Sequence, residues 1–273
     1  MSKMRRLLLT LFAVVLTAAP QHVDFPILKE EVLREHLQLA HPRNAERFKR
    51  LKELFAKSGC GDASMHEQKV SGSKEPNIIC GIDAPGGHPK TIIVGAHFDA
   101  VGGDGVIDNW SGAVLLPALF ELTAKAQRRH AFEFIGFAAE EKGLLGSKSY
   151  VHSIPKAERG EIAAVIILDS LGLTPTKCWV HGSTKDLVIA ANRVATSMKL
   201  DFQEVDVEKV GTTDSQPFLE AHIPVLCLHS VTPETWKVIN GSRDVWSAVS
   251  WKNYYNSHKL VSALLRYFDE TLP

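Results

Sequence analysis

The chain of 273 residues is poor in cysteine, has no net charge, and holds few long apolar runs. Four cysteines are too few for a disulfide-built scaffold at this length. Lys+Arg and Asp+Glu both number 31, so there is no positive excess to hold a polyanion, and nucleic acid is not expected as a partner. No apolar run approaches the ~20 residues of a membrane span except at the extreme N-terminus. The common catalytic signatures also fail. His66-Glu67 starts like H-E-x-x-H, but Val70 stands where the second His belongs. There is no G-x-S-x-G, no G-K-[ST] and no C-x-x-C, and the glycines of 102–105 do not complete a dinucleotide fingerprint. What is there is an ordinary folded composition, 45% hydrophobic and 23% charged.

Lys3, Arg5 and Arg6 precede an apolar run at 7–16, and Thr17-Ala18-Ala19 follows it with small residues. Basic, apolar, small is the order of a secretory signal peptide. Residues 1–19 are read as that peptide, cleaved after Ala19, and 20–273 as one domain. The mature chain is then expected to be secreted or periplasmic, without a stable membrane span, where disulfides are permitted. Cys60 and Cys80 can pair, whereas Cys178 and Cys227 lie in apolar, strand-like runs and read as buried thiols.

Helical periodicity covers 27–39 and 45–56, and strands are predicted at 77–82 and 91–96. A Gly- and Asp-rich loop spans 102–109. Residues 111–126 read as a helix capped by Ser111. Further strands are predicted at 131–138, 162–168, 177–181, 202–207 and 224–228, and further helices at 144–152, 184–199 and 251–269. This alternation predicts a single α/β domain with a mostly parallel central sheet and helices on both faces.

The chemistry-bearing residues collect just past strand ends, where open α/β sheets place ligand sites. His97 and Asp99 follow the strand at 91–96, and Asp108 lies in the next loop. Glu140 and Glu141 follow 131–138, and Asp169 ends 162–168. Carboxylates gathered in this way repel one another and call for a cation, and a set of His and carboxylates suits zinc. The spacing also suits two ions bridged by one carboxylate. In the Glu-Glu pair one residue can ligate while its neighbour acts as a base. Asp99 can hold the second ring nitrogen of His97. The histidines 130, 152, 181, 222 and 229 read as structural or surface groups. The aromatics Trp236, Trp246, Trp251, Tyr254 and Tyr255 read mainly as core.

Five segments carry a family resemblance: V-G-A-H-F-D-A-V (94–101), D-N-W-S-G-A (108–113), F-A-A-E-E-K-G-L-L-G-S-K (137–148), I-I-L-D-S-L-G (166–172) and T-D-S-Q-P-F (213–218). Over about residues 45–270 the chain resembles the M28 zinc aminopeptidases, whose clan also holds the glutaminyl cyclases. The resemblance implies a zinc-exopeptidase-like fold and two zinc ions. It makes His97 and Asp169 ligands of one zinc, Asp108 the bridge and Glu141 a ligand of the second. It makes Glu140 the general base toward a zinc-activated water, and Asp99 the group that orients His97. Asp214 matches a polar loop position near the substrate. The expected substrate is a peptide with a free N-terminus.

One position departs from the pattern. Asn240 stands where the family places a final zinc-binding His, and a carboxamide is a poorer zinc ligand than imidazole. His258 falls on the closing helix and reads as a surface residue. Three functions follow from the resemblance. The first is an exported zinc aminopeptidase. The second is an impaired relative that binds peptides or a protein, motivated by Asn240. The third is a glutaminyl cyclase.

Overall fold

The computed structural model describes residues 26–87, 90–205 and 211–273. The expected signal peptide lies outside the described residues. Eight strands form one sheet: β1 (Met65–Gln68), β2 (Asn77–Ile82), β3 (Thr91–His97), β4 (Ala131–Phe137), β5 (Ile162–Leu168), β6 (Lys177–Trp179), β7 (Gln203–Val205) and β8 (Val225–His229). Their order is β1-β2-β4-β3-β5-β8-β6-β7. The centre, β4-β3-β5-β8, is parallel, while β1–β2, β2–β4 and β8–β6 are antiparallel. The sheet is therefore mixed around a parallel core.

Side chains alternate across a strand, so each central strand feeds two cores. Ile92, Val94 and Ala96 of β3, with Ala164, Ile166 and Leu168 of β5, face one layer. Ile93, Val165 and Ile167 face the other. The larger layer is covered by α1 (Glu30–Leu37), α2 (Asn44–Lys57), α4 (Leu115–Lys125), α6 (Lys185–Ser197) and α8 (Trp251–Thr271), reached after a short α3 (Ser111–Ala113). The smaller layer is covered by α5 (Leu145–Ser153) and α7 (Gln216–Glu220), through Tyr150, Val151 and Phe218. The Cys60–Cys80 disulfide forms and ties the end of α2 to β2. Cys178 and Cys227 are buried free thiols.

Local details differ from the expectation. The polar strand β1 has no apolar alternation to announce it; pairing with β2 makes it a strand. The helix expected at 111–126 is divided into α3 and α4. Ser111 does not cap it: its hydroxyl donates to Ile107 O and accepts from Leu171 N–H. Of the edge strand expected at 202–207, β7 keeps Gln203–Val205, and the remainder past Val205 lies outside the described residues.

Candidate metal centre

The C-terminal ends of β3, β4, β5 and β8 open into one cleft with an empty volume of about 650 Å³. His97, the last residue of β3, is 2% exposed and presents its ring to the cleft floor. Its Nε2 lies 3.1 Å from Asp108 Oδ1 and 3.9 Å from Asp169 Oδ1. These three side chains are the one group of three metal-ligating residues that converge among the described residues, with ligand atoms all within 4.8 Å of one another. A tetrahedral ion at roughly 2.0–2.2 Å from each ligand separates its ligand atoms by about 3.4 Å. The observed 3.1 and 3.9 Å bracket that distance, so the donor set fits zinc.

Local structure explains why the trio assembles. Asp108 sits in a wide turn, Val106–Trp110. Asp244 anchors that turn by accepting the backbone N–H of Ile107 and, at 3.0 Å, of Asp108. Asn109 stitches it to the end of β5: its amide donates to Leu168 O at 2.8 Å, and its Oδ1 accepts from Gly112 and Ser170. A Cβ at Gly112 would stand 2.5 Å from Asn109 Oδ1 and 2.6 Å from Leu168 O, so this approach requires glycine. Asp169 is steadied by Ser170 Oγ at 2.9 Å and Thr213 Oγ1 at 2.7 Å.

His97 Nδ1 points away from the trio, 3.1 Å from the backbone O of Asp99 and 3.6 Å from its carboxylate. The main-chain carbonyl of Asp99 is thus the closer partner. The Asp99 carboxylate, besides facing His97 Nδ1, accepts the backbone N–H of Glu140 at 3.0 Å and of Glu141 at 3.2 Å. It pins the Glu140–Lys142 turn, which is entered through left-handed Ala139 and left through left-handed Gly143 and Leu144.

Burial works against ionisation here, and crowding adds to it. Burial, with Asp214, Asp169 and Asp108 nearby, pushes Glu140 up to about 10, although His97 opposes this. Burial and Asp108 push Glu141 up to about 8. Burial raises Asp214 to about 7 and Asp244 to about 6. For His97, burial disfavours the charged form, yet Glu140, Asp108 and Asp99 outweigh it and hold its pKa well above the ordinary value. Glu141 Oε1 and both oxygens of Asp214 are buried without a hydrogen-bond partner. Such a cluster is complementary to a cation.

Arg47 of α2 supplies one fixed positive charge. Its guanidinium is fully buried and donates to Phe98 O, to Asp104 O at 2.8 Å and to Gly105 O at 3.1 Å. Burial lowers it to about 10, opposed by Asp99, Asp244 and Asp108. Nothing in the local sequence of α2 marks this residue, nor Asp244, which reaches its turn from more than 130 residues away.

The remaining expected positions fall as follows. Glu140, Glu141 and Asn240 line the same cleft as the trio. Glu141 and Asp108 find no third ligating side chain among the described residues. His258 is not on the surface: it is fully buried in α8, and its Nε2 accepts the Leu28 N–H at 3.0 Å. It does not line the cleft. His229 at the end of β8 and Trp236 do line it, beside Trp179, Cys227, Val231 and Ile239.

A parallel-cored α/β sheet that gathers one His and two carboxylates at its carboxyl ends is an arrangement that could hold a metal ion. Residues 77–265 match peptidase family M28, and the chain belongs to that family. It is 34% identical over 159 residues to leupeptin-inactivating enzyme 1 of Streptomyces exfoliatus, covering 57% of this chain and 36% of that protein. Its structure resembles a zinc aminopeptidase from Bacillus subtilis with a TM-score of 0.65 at 24% identity, over 71% of this chain and 50% of the other. It also resembles a glutaminyl cyclase of an Acidobacteriales bacterium, with a TM-score of 0.77 at 15% identity, over 93% and 99% of the two chains. The chain spans little more than a third of the length of two of the curated relatives it matches, 36% and 37%.

Proposed function

We propose that this chain is an exported, metal-dependent aminopeptidase that removes N-terminal residues from peptides. The observation that carries the reading is Glu140 in one cleft with the His97–Asp108–Asp169 trio. His97, Asp108 and Asp169 would hold the ion, which when bound would supply Lewis acidity toward a carbonyl oxygen and toward water. Glu140 takes the proton from the attacking water and delivers it to the leaving amine nitrogen. Asp99 fixes the backbone from which Glu140 reaches out. The α-ammonium of a substrate finds its counter-charge in Glu141 and Asp108. Burial, and then the neighbouring carboxylates, hold Glu140 up, and a positive charge bound in the cluster would favour its ionised, proton-accepting form.

The reading includes the number of ions. The trio makes one complete site. The neighbouring position offers Asp108, Glu141 and at most the Asn240 carboxamide, so we assign one tight zinc per chain. Asn240 also favours a second reading, an impaired homologue that binds peptides without turnover. By the family resemblance a glutaminyl cyclase also uses the final His at that position, where this chain has Asn240, which places it third. Calorimetric titration of metal-stripped protein with zinc, followed by assay on N-terminally free peptides, separates these. One tight zinc with hydrolysis that Glu140→Gln reduces by about 10²–10⁴-fold is expected. One zinc with no turnover selects the binder, and pyroglutamate formed from an N-terminal Gln peptide selects the cyclase.

A further inference from the structure

The cleft divides into two chemistries. The metal-ligating trio and Glu140 make up the charged lining. Cys227, Val231, Trp236 and Ile239 give the same cleft an apolar and aromatic lining. Parallel pairing explains the adjacency: Leu168 of β5 lies in register with Leu228 of β8, so Asp169 and His229 are the next residues on neighbouring strands.

Two polar atoms in this apolar part have no partner. His229 is 5% exposed, and its Nε2 is buried without a hydrogen bond. Its Nδ1 accepts the Val231 N–H at 3.2 Å, which assigns the ring proton of the neutral imidazole to Nε2. Trp179 Nε1–H, a donor only, is likewise buried and unpartnered. The two rings face each other edge-on at 6.5 Å and 65°. A buried donor left unsatisfied is costly, and two in one pocket ask for a shared acceptor.

We infer that His229 and Trp179 form the polar end of the pocket for the substrate's N-terminal side chain, and that they select a residue whose side chain carries an uncharged acceptor oxygen, a carboxamide as in Gln or Asn. This rests on the aminopeptidase reading of the cleft. Both donors are neutral N–H groups, and Asp169 stands beside them. An anionic side chain would meet the Asp169 carboxylate, and an ammonium or guanidinium, being donor only, would leave both N–H groups unpaired. A purely aliphatic side chain fills the apolar wall but leaves both donors unpaired. Sites built to hydrogen-bond discriminate strongly against analogues that lack the group.

The test is binding of L-glutamine hydroxamate and L-leucine hydroxamate to the zinc-loaded protein by calorimetry. Their headgroups are identical, so the ratio of affinities reads the side-chain pocket alone. The glutamine compound is expected to bind about tenfold tighter, the size of one or two neutral hydrogen bonds. His229→Phe keeps a flat ring and removes the donor; it is expected to erase that preference while leaving the leucine compound bound. Trp179→Phe is expected to move the ratio in the same direction, and it serves if His229→Phe does not fold. Tighter binding of the leucine compound to the wild type, a ratio unmoved in both variants, or binding of neither compound overturns the proposal. Hydrolysis of Gln- and Leu-initiated peptides is read separately. Absent turnover with the hydroxamate ratio intact overturns the peptidase reading and leaves the pocket standing.

Discussion

At the scale of single residues, the centre shows how one side chain can serve two neighbours. Asp99 was expected to orient His97 through its carboxylate. That carboxylate does face the ring at 3.6 Å, with the residue's own backbone carbonyl nearer at 3.1 Å, and it also holds Glu140 and Glu141 in place. Burial raises the pKa of Asp99, but His97 and the two backbone N–H groups outweigh it and hold the pKa below the ordinary value. Asn240 is the residue with the clearest consequence for metal binding. It lines the cleft, and its φ is +57°. His is among the residues that tolerate left-handed backbone better than most, so Asn240→His fits the local conformation. This substitution adds an imidazole beside Asp108 and Glu141. The expected result is a rise from one to two tight zinc ions per chain, read by calorimetry on the stripped protein. A stoichiometry that stays at one would mean that the position does not face Glu141 closely enough to complete a site. His229 escaped the sequence reading for a physical reason. A lone His at the end of the apolar run V-L-C-L-H looks like a satisfied core residue, and only coordinates reveal that one ring nitrogen is used and the other is not.

At the scale of elements, what could be read from sequence was what short-range periodicity dictates. The strands β3, β4, β5 and β8 are apolar enough to be covered on both faces, and each announces itself as a run. The catalytic candidates follow because they are the first polar residues past those runs. Elements whose identity depends on distant partners were not legible. The strand β1 reads M-H-E-Q and exists through its pairing with β2. The division at Val114 falls just before Pro117, which has no N–H to donate to the carbonyl of Ala113 four residues back and crowds that carbonyl.

Helix α8 carries its own pH dependence. His258 sits inside it with Nε2 accepting from Leu28, and burial lowers its pKa to about 4. An unfolded His titrates near 6.5, so between about 6.5 and 4 the unfolded chain binds a proton that the folded chain refuses. The favourable contribution is present above about 6.5 and is lost as pH falls toward 4. Carried through the whole window from 6.5 to about 4, this loss amounts to ~3 kcal/mol. His229 acts in the same direction, while the raised carboxylates of the centre act oppositely, so total stability does not isolate the effect. The comparison with His258→Gln does, because Gln keeps an acceptor for Leu28 and does not titrate. Denaturant melts at pH 7 and pH 4.5 are expected to show the wild type losing more stability than the variant. Equal losses would contradict a neutral, buried His258.

At the scale of the whole molecule, the centre holds together pieces that are far apart in the chain. His97 ends β3, Asp108 belongs to a turn braced by residue 244, and Asp169 ends β5. Their mutual repulsion is a cost borne by the folded state, since the unfolded chain keeps these carboxylates apart in water. Arg47 offsets part of it from α2. A divalent ion bound to the trio offsets more, and it binds the folded chain alone because the three ligands converge nowhere else. Zinc is therefore expected to stabilise by mass action, adding ~2.7 kcal/mol at a free concentration of one hundred times Kd. For a domain of this size, a change of about 1 kcal/mol moves the melting temperature by roughly 2–4 °C. Metal-stripped protein should then melt roughly 5–10 °C below the zinc-loaded form. The same difference should nearly vanish in Asp169→Asn, which keeps the shape of the side chain and weakens the trio. A melting temperature indifferent to zinc would mean that the cluster is already balanced by the protein's own charges. The trio would then be a polar sheet end rather than a metal centre.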